Sequence, residues 1–281
     1  MKIRLMQPGD LDFAMRCVQH EGWLSETRFD FENFLAYDAN GCFLAELETQ
    51  PIGICVATRY RRNGFIGELI VIEAMRGRGF GRRLLEHAIQ YLHASGVKNI
   101  LLDGDLGAIG LYEKVGFRKV CQSLRFLGEV QGKSHSPTQP FRAEDAEPIY
   151  RLDRRVLGEN RQFFLARRLH RFPHLCRVVI QNDKIQGYIM GRPGNKVISI
   201  GPWIAPPEWA EPAEMLASLA SECGGEKLRI GVLETNQNAL KVIQSFPELR
   251  PSEPCWRMVL GPSAQFGMND QILAIGSPAK G

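Results

Sequence analysis

The chain has 281 residues, 44% hydrophobic and 23% charged, with 35 Lys and Arg against 31 Asp and Glu for a net charge of +4. That is enough chain for two domains, each burying its own core, and the balance is that of a globular protein rather than a disordered or fibrous one. The mild positive charge comes without an aromatic-interleaved basic stripe, and neither an apolar leader nor a run of 18 apolar residues is present, so no nucleic acid, no membrane and no export are expected, and a cytoplasmic location is.

Residues 2–6 alternate as a short strand, and Gln7-Pro8-Gly9-Asp10 turns the chain. Asp10 is the expected N-cap of a helix carrying Leu11, Ala14, Met15 and Val18 on one face. After Glu21-Gly22-Trp23-Leu24, a second helix is expected from near Asp30 to about Tyr37. Residues 42–48 and 51–60 resemble a hairpin, and Arg61-Arg62-Asn63-Gly64 leads into the next strand. The seven cysteines (Cys17, Cys42, Cys55, Cys121, Cys176, Cys223 and Cys255) are scattered, odd in number and without a C-x-x-C pair. Buried reduced thiols are expected, and no metal site.

Glu68-Leu69-Ile70-Val71-Ile72 reads as a buried strand, followed by Arg76-Gly77-Arg78-Gly79-Phe80-Gly81 and a helix with Leu84, Leu85, Ala88, Ile89 and Leu92 on one face. A strand that feeds a glycine-rich turn opening a helix is a place to hold an anion. The first helical N–H groups lack intrahelical partners, the dipole adds positive charge, and glycine permits close approach and φ > 0. Arg76, Arg78, Arg82 and Arg83 add whole charges.

Three loop patterns compete for that anion. A P-loop needs Lys-Ser or Lys-Thr where Arg82-Arg83 stands. A dinucleotide fingerprint finds two of its three glycines, although Asp103 sits where a ribose-binding acid belongs. The third pattern, R/Q-x-x-G-x-G/A, is met in full by Arg76 to Gly81. Downstream, residues 98–102 read as another buried strand. Asp105, Ala108, Leu111, Tyr112, Glu113, Lys114, Gly116 and Phe117 follow N-x-x-A-x-x-L-Y-E-K-x-G-F, with Asp for Asn at the first place. With both motifs in order, residues 1–130 resemble the GNAT acetyltransferase superfamily.

That resemblance implies an α/β fold of the α+β type, a central mixed and mostly antiparallel sheet flanked by helices. It implies acetyl-CoA as acyl donor, with no metal. The pyrophosphate would lie on Arg76, Gly77, Arg78, Gly79, Phe80, Gly81 and Arg82, near Asp105. The pantetheine arm would add like a strand along Leu69, Ile70 and Val71, where a backbone N–H polarises the acyl carbonyl. Tyr112 falls at the family's general-acid position, and the candidate bases are Glu68 and Asp103. Trp23, with Phe29 and Phe31, would stand in the wall of the acceptor pocket, where core packing is the competing role.

Residues 118–127 make one strand where such domains usually end with two, so another segment is expected to complete that sheet. Residues 131–140 read as a linker. From residue 141 the plan repeats at offsets near 131–135 residues, so two tandem domains are expected, 1–130 and 141–281. The second lacks the glycine loop: Gly201-Pro202-Trp203-Ile204-Ala205-Pro206-Pro207-Glu208 stands there, and its prolines have no N–H to offer an oxyanion. The place of Tyr112 falls near Ile243. This half resembles the acetyltransferase-like domain found behind some bacterial GNAT domains, and it is expected not to bind CoA productively. Asp153, Arg161 and Trp203 would line an acceptor cleft, against a bland reading as surface charges and a core tryptophan. Residues 271–275 are strand-like and would add to a sheet edge or cap the domain junction. The activity implied is acetyl-CoA-dependent transfer to a primary amine of a small molecule, against the alternative of a non-catalytic acyl-CoA-binding regulatory module. The oligomeric state is left open.

Overall fold

Regular alternation makes β1 (Lys2–Leu5), and the apolar face at Leu11, Ala14, Cys17 and Val18 makes α1 (Leu11–His20). The computed structural model describes residues 1–132, 137–206, 209, 211–277 and 279–281; four residues of the expected linker, 133–136, and Pro207 and Glu208 of the proline loop lie outside them. Asp10 precedes α1, but its carboxylate does not cap that helix. It accepts from the Gln7 N–H at 2.8 Å and forms a two-pronged pair with Arg4 at 2.6 and 2.8 Å.

The chain continues through α2 (Arg28–Asp38), β2 (Cys42–Leu47), β3 (Gln50–Arg59), β4 (Asn63–Val71), α3 (Phe80–Ala94), β5 (Asn99–Asp105), α4 (Ile109–Lys114) and β6 (Arg118–Gly128). The second half holds β7 (Gln139–Pro140), α5 (Ala146–Leu157), α6 (Gln162–Arg171), β8 (Cys176–Gln181), β9 (Lys184–Pro193) and β10 (Ile198–Ile204). It ends with α7 (Pro212–Ala220), β11 (Leu228–Leu233), α8 (Gln237–Gln244), β12 (Arg250–Leu260) and β13 (Ile272–Ala274).

These elements group into two units that are not consecutive in sequence. Unit 1 comprises Met1–Val120, Trp256–Ala264 and Pro278–Lys280; unit 2 comprises Cys121–Cys255, Gln265–Ser277 and Gly281. In unit 1 the strand order is β1-β2-β3-β4-β5, with the last residues of β12 beside β5. The segment that completes the first sheet is therefore a strand from near the other end of the chain. All pairings along β1 to β4 are antiparallel, and β4 with β5 is parallel. α3 lies on this sheet with Leu84, Leu85, Ala88 and Leu92 fully buried, the face read from their spacing. Burying each leucine contributes on the order of 1.5–3 kcal/mol.

In unit 2 the order is β6-β11-β10-β9-β8-β7, with β13 paired to β10. β10 and β11 are parallel and the β8–β9 hairpin is antiparallel, repeating the plan of β4, β5, β2 and β3. Glu48 and Thr49 in the first hairpin turn, and Asn182 and Asp183 in the second, all have positive φ. Such tight turns match the twist of the strands they join.

Candidate active site

β4 pairs with β5 at Asn63↔Asn99, Gly64↔Ile100 and Phe65↔Leu101. Among the described residues the ladder ends there, and the two strands part towards their C-terminal ends. The other edge of β4 stays on β3, with a register shift between Ile54 and Val56 opposite Glu68. Glu68 is 2% exposed and has φ +52°, a left-handed conformation that costs a non-glycine residue about 1–3 kcal/mol. The bulge redirects the strand where it leaves β5.

Beyond the bulge, Ile72 donates its N–H to Ile52 at 3.0 Å. Backbone direction alternates along a strand, so Ile70 also turns its polar groups to β3, whereas Leu69 and Val71 turn theirs to the side that β5 has vacated. Of the three residues expected along the acyl donor, two present their backbone to the opening and Ile70 does not. The carbonyl of Val71 accepts from Arg76 Nε at 2.9 Å.

The strand then runs into the glycine turn. Gly77 has φ +73° and Gly79, the N-cap of α3, has φ +78°. A Cβ at either would meet nothing within 4 Å, so the constraint is backbone conformation beside open space. Among the described residues no side chain caps α3, and its first intrahelical bond is Arg83 N–H to the Gly79 carbonyl at 3.2 Å. The N–H groups of Phe80, Gly81 and Arg82 thus point outward without an intrahelical acceptor. This is a fitting cradle for a diphosphate. Arg76 pairs with Glu21, Arg78 lies over the Phe80 ring at 5.2 Å, and Arg82 pairs with Glu86 at 2.8 Å. All three side chains are exposed, Arg76 and Arg82 by about half, where ion pairs are weak and exchangeable. Asp105 is exposed at the end of β5.

Tyr112 sits on α4, 7% exposed, its ring edge-on to Phe117 at 6.1 Å. A Cβ on Gly104 would come within 2.6 Å of that ring, so the glycine in β5 seats the tyrosine against the strand. Asp103 lies on the same strand, its side chain enclosed and gripped by both Nε and Nη2 of Arg257, the latter at 3.3 Å. Arg257 in turn lies 5.1 Å over Phe65. Sequence reading missed Arg257, and no local signal could have found it, because 154 positions separate it from Asp103.

Burial pushes the thiol of Cys17 up to about 11, those of Cys42 and Cys223 up to about 12, and those of Cys55 and Cys176 higher still. Those thiols are protonated near neutrality and are poor nucleophiles. Among the described residues no cluster of three His, Cys, Asp or Glu could hold a metal ion.

The corresponding place in unit 2 is filled. β10 and β11 pair at Ile198↔Leu228, Ser199↔Arg229 and Ile200↔Ile230, and then β13 lies along β10 at Trp203↔Ala274 and Ile204↔Ile272. Ile275 also donates to the Gly231 carbonyl on β11 at 3.0 Å. Residues 272–275 are therefore wedged inside the sheet, not added at its outer edge. Gly201 must be glycine, since a Cβ would lie 1.9 Å from the Ile275 carbonyl oxygen. Ile243, at the place of Tyr112, is buried on α8 and carries no hydroxyl.

Trp203 is wholly buried in the unit 2 core, its Nε1 towards Met215 Sδ at 3.1 Å, so it offers no wall to a ligand. Asp153 and Arg161 are 1% and 4% exposed and pair at 2.8 Å; the Tyr188 hydroxyl donates to the same carboxylate. They form an interior polar cluster, neither surface charges nor a solvent-lined cleft. Trp23 is half-buried between α1 and α2, and Phe31 is fully buried.

Residues 11–117 match the acetyltransferase (GNAT) family model, and residues 149–274 match a second acetyltransferase (GNAT) domain model. The chain belongs to the GNAT acetyltransferase family. It carries two GNAT domains in tandem. The chain is similar to N-alpha-acetyltransferase MAK3 of Arabidopsis thaliana, 32% identical over 116 residues, which covers 38% of this chain and 60% of that protein. It therefore spans about 60% of this curated relative's length. In fold, it is similar to a putative acetyltransferase from Pyrococcus horikoshii, with a TM-score of 0.82 at 23% identity, covering 100% of this chain and 95% of that one. It is also similar to a tandem GNAT protein from the clavulanic acid biosynthesis pathway, with a TM-score of 0.65 at 12% identity, covering 94% and 99%.

Proposed function

We propose that unit 1 transfers an acetyl group from acetyl-CoA to a primary amine and that unit 2 binds no acyl donor. The observation that carries this reading is the open backbone edge at Leu69 and Val71, which leads into the uncapped, positive-φ glycine turn of α3. Acetyl-CoA supplies an activated thioester when bound. The N–H groups of Phe80, Gly81 and Arg82, with the nearby arginines, hold its diphosphate; the edges of Leu69 and Val71 hold its arm and polarise the acyl carbonyl. The Tyr112 hydroxyl gives its proton to the departing sulfur. Of the two candidate bases, Asp103 is engaged by Arg257 and suits a positioning role, so Glu68 at the bulge takes the proton from the ammonium, directly or through water. The protonated thiols argue for direct attack by the amine rather than an acyl-cysteine intermediate.

The reading that unit 2 is no second catalyst is supported by β13, which lies along β10 where, among the described residues of unit 1, no strand lies along the end of β4. A small-molecule amine is the preferred acceptor. A protein N-terminus is the second reading, favoured by the similarity to a protein named as an N-alpha-acetyltransferase.

The test is thiol release from acetyl-CoA over a panel of small amines and peptide N-termini, beside calorimetric binding of acetyl-CoA. Release with an acceptor is the expected result, and the acceptor identifies the class. Tight binding without release for any acceptor replaces the enzyme with a regulatory acyl-CoA-binding module; absence of binding removes both.

A further inference from the structure

Unit 1 holds one of the chain's own amines deep inside it. Lys280 is 6% exposed, although lysine is almost never buried unless its charge is met. Its Nζ lies 3.3 Å from Asp30 Oδ1 and 4.7 Å over the ring of Phe34, and its backbone carbonyl accepts from the Tyr60 hydroxyl at 2.7 Å. Ala279 lies on Gly67, where a Cβ would come within 2.6 Å of it; Gly67 immediately precedes Glu68 in the bulge. The ammonium site is pre-organised by the sequence around it. Thr27-Arg28-Phe29-Asp30 is a capping box, in which the Thr27 N–H and hydroxyl both donate to Asp30 Oδ2, at 3.0 and 2.9 Å. That fixes the carboxylate with Oδ1 3.3 Å from the ammonium. Carboxylate, aromatic face and enclosed space together form a built receptor for an alkylammonium.

We propose that Asp30, Phe34 and Tyr60 form the amine subsite of unit 1, that Lys280 occupies it as an internal pseudo-acceptor, and that its external ligand is a primary amine on an unbranched alkyl chain. This rests on the acetyl-transfer reading only for calling the site an acceptor site; the ammonium chemistry stands without it. A tethered occupant competes at an effective concentration in the millimolar range, so external amines must displace it and bind more weakly than the site allows.

The experiment titrates full-length protein with 1,5-diaminopentane and, separately, with the peptide Ser-Pro-Ala-Lys-Gly, by calorimetry. Both the wild type and K280A should bind, K280A about tenfold more tightly or better, and D30N placed in K280A should weaken binding at least about tenfold. Asp30 also caps α2, so Phe34→Leu in K280A provides a second probe, expected to weaken binding while keeping apolar volume. Preference for the peptide, lost in Y60F, identifies a peptide lysine as the source; equal or better binding of the diamine identifies a small amine. Binding to neither form, binding to K280A alone at any accessible concentration, or binding indifferent to both D30N and Phe34→Leu overturns the proposal. Acetyl-CoA is titrated into the same samples. Amine binding without acetyl-CoA binding removes the transferase reading and leaves the subsite, and the converse removes the subsite alone.

Discussion

Tyr112 owes its position to the absence of a side chain at Gly104 and to the edge of Phe117. Tyr112→Phe keeps the ring and those contacts and removes only the hydroxyl. Turnover, followed as thiol release, should fall by about 10²–10⁴-fold with acetyl-CoA affinity little changed; unchanged turnover would relieve the residue of its role as acid. A second residue-scale effect concerns stability. The hydrogen bond from Arg4 holds the Asp10 carboxyl below its usual range, against the opposing effect of burial. A depressed folded value means that this stabilisation is complete above the unfolded value, near 3.9, and is lost as pH falls through the folded one. Arg4→Met should therefore shrink the drop in Tm between pH 5 and pH 2, measured by circular dichroism across that range. An equal drop in both proteins would show that the pair does not matter.

On the proposed function, two elements decide which half takes an acyl donor. The turn before α3 works because Gly79 is left-handed at the helix N-cap. Gly79→Ala places a Cβ in a conformation costing roughly 1–2 kcal/mol, so the turn relaxes and the outward N–H groups lose their alignment. Calorimetry should show acetyl-CoA affinity down by about tenfold with α3 intact by circular dichroism, since a Cβ there meets no neighbour. In unit 2 the decisive element is β13. Ile272, Leu273 and Ile275 are 4–6% exposed, and each contributes on the order of 1.5–3 kcal/mol by burial. That total rivals the stability of a whole domain. Ending the chain after Ser263 should accordingly lower Tm by about 10 °C or more, or abolish cooperative unfolding, in differential scanning calorimetry. A truncated protein as stable as the full chain would demote β13 to an appendage.

For the molecule as a whole, duplication has produced two sheets of one plan with opposite fates. In one, the parallel pair parts and no strand of the described residues lies between; in the other, the chain's own strand lies in the gap. Saturation with acetyl-CoA should therefore reach one equivalent per chain, and a calorimetric stoichiometry of two would refute the assignment.

The repeat, the glycine turn before α3 and the helix face of α3 were all legible in the sequence, because each depends on residues close together along the chain, through φ > 0 at glycine, helix periodicity and strand alternation. Local reading failed where partners are remote. The grip of Arg257 on Asp103, the identity of the strand that completes the first sheet and the lysine beside Asp30 join positions far apart in sequence. Sequence by itself determined the kind of fold, its two-fold repetition and the left-handed glycine turn that opens α3. Tertiary structure alone decided which strand fills which gap and which carboxylate meets which cation, because long-range contacts follow from how whole surfaces are buried, and no local pattern encodes them.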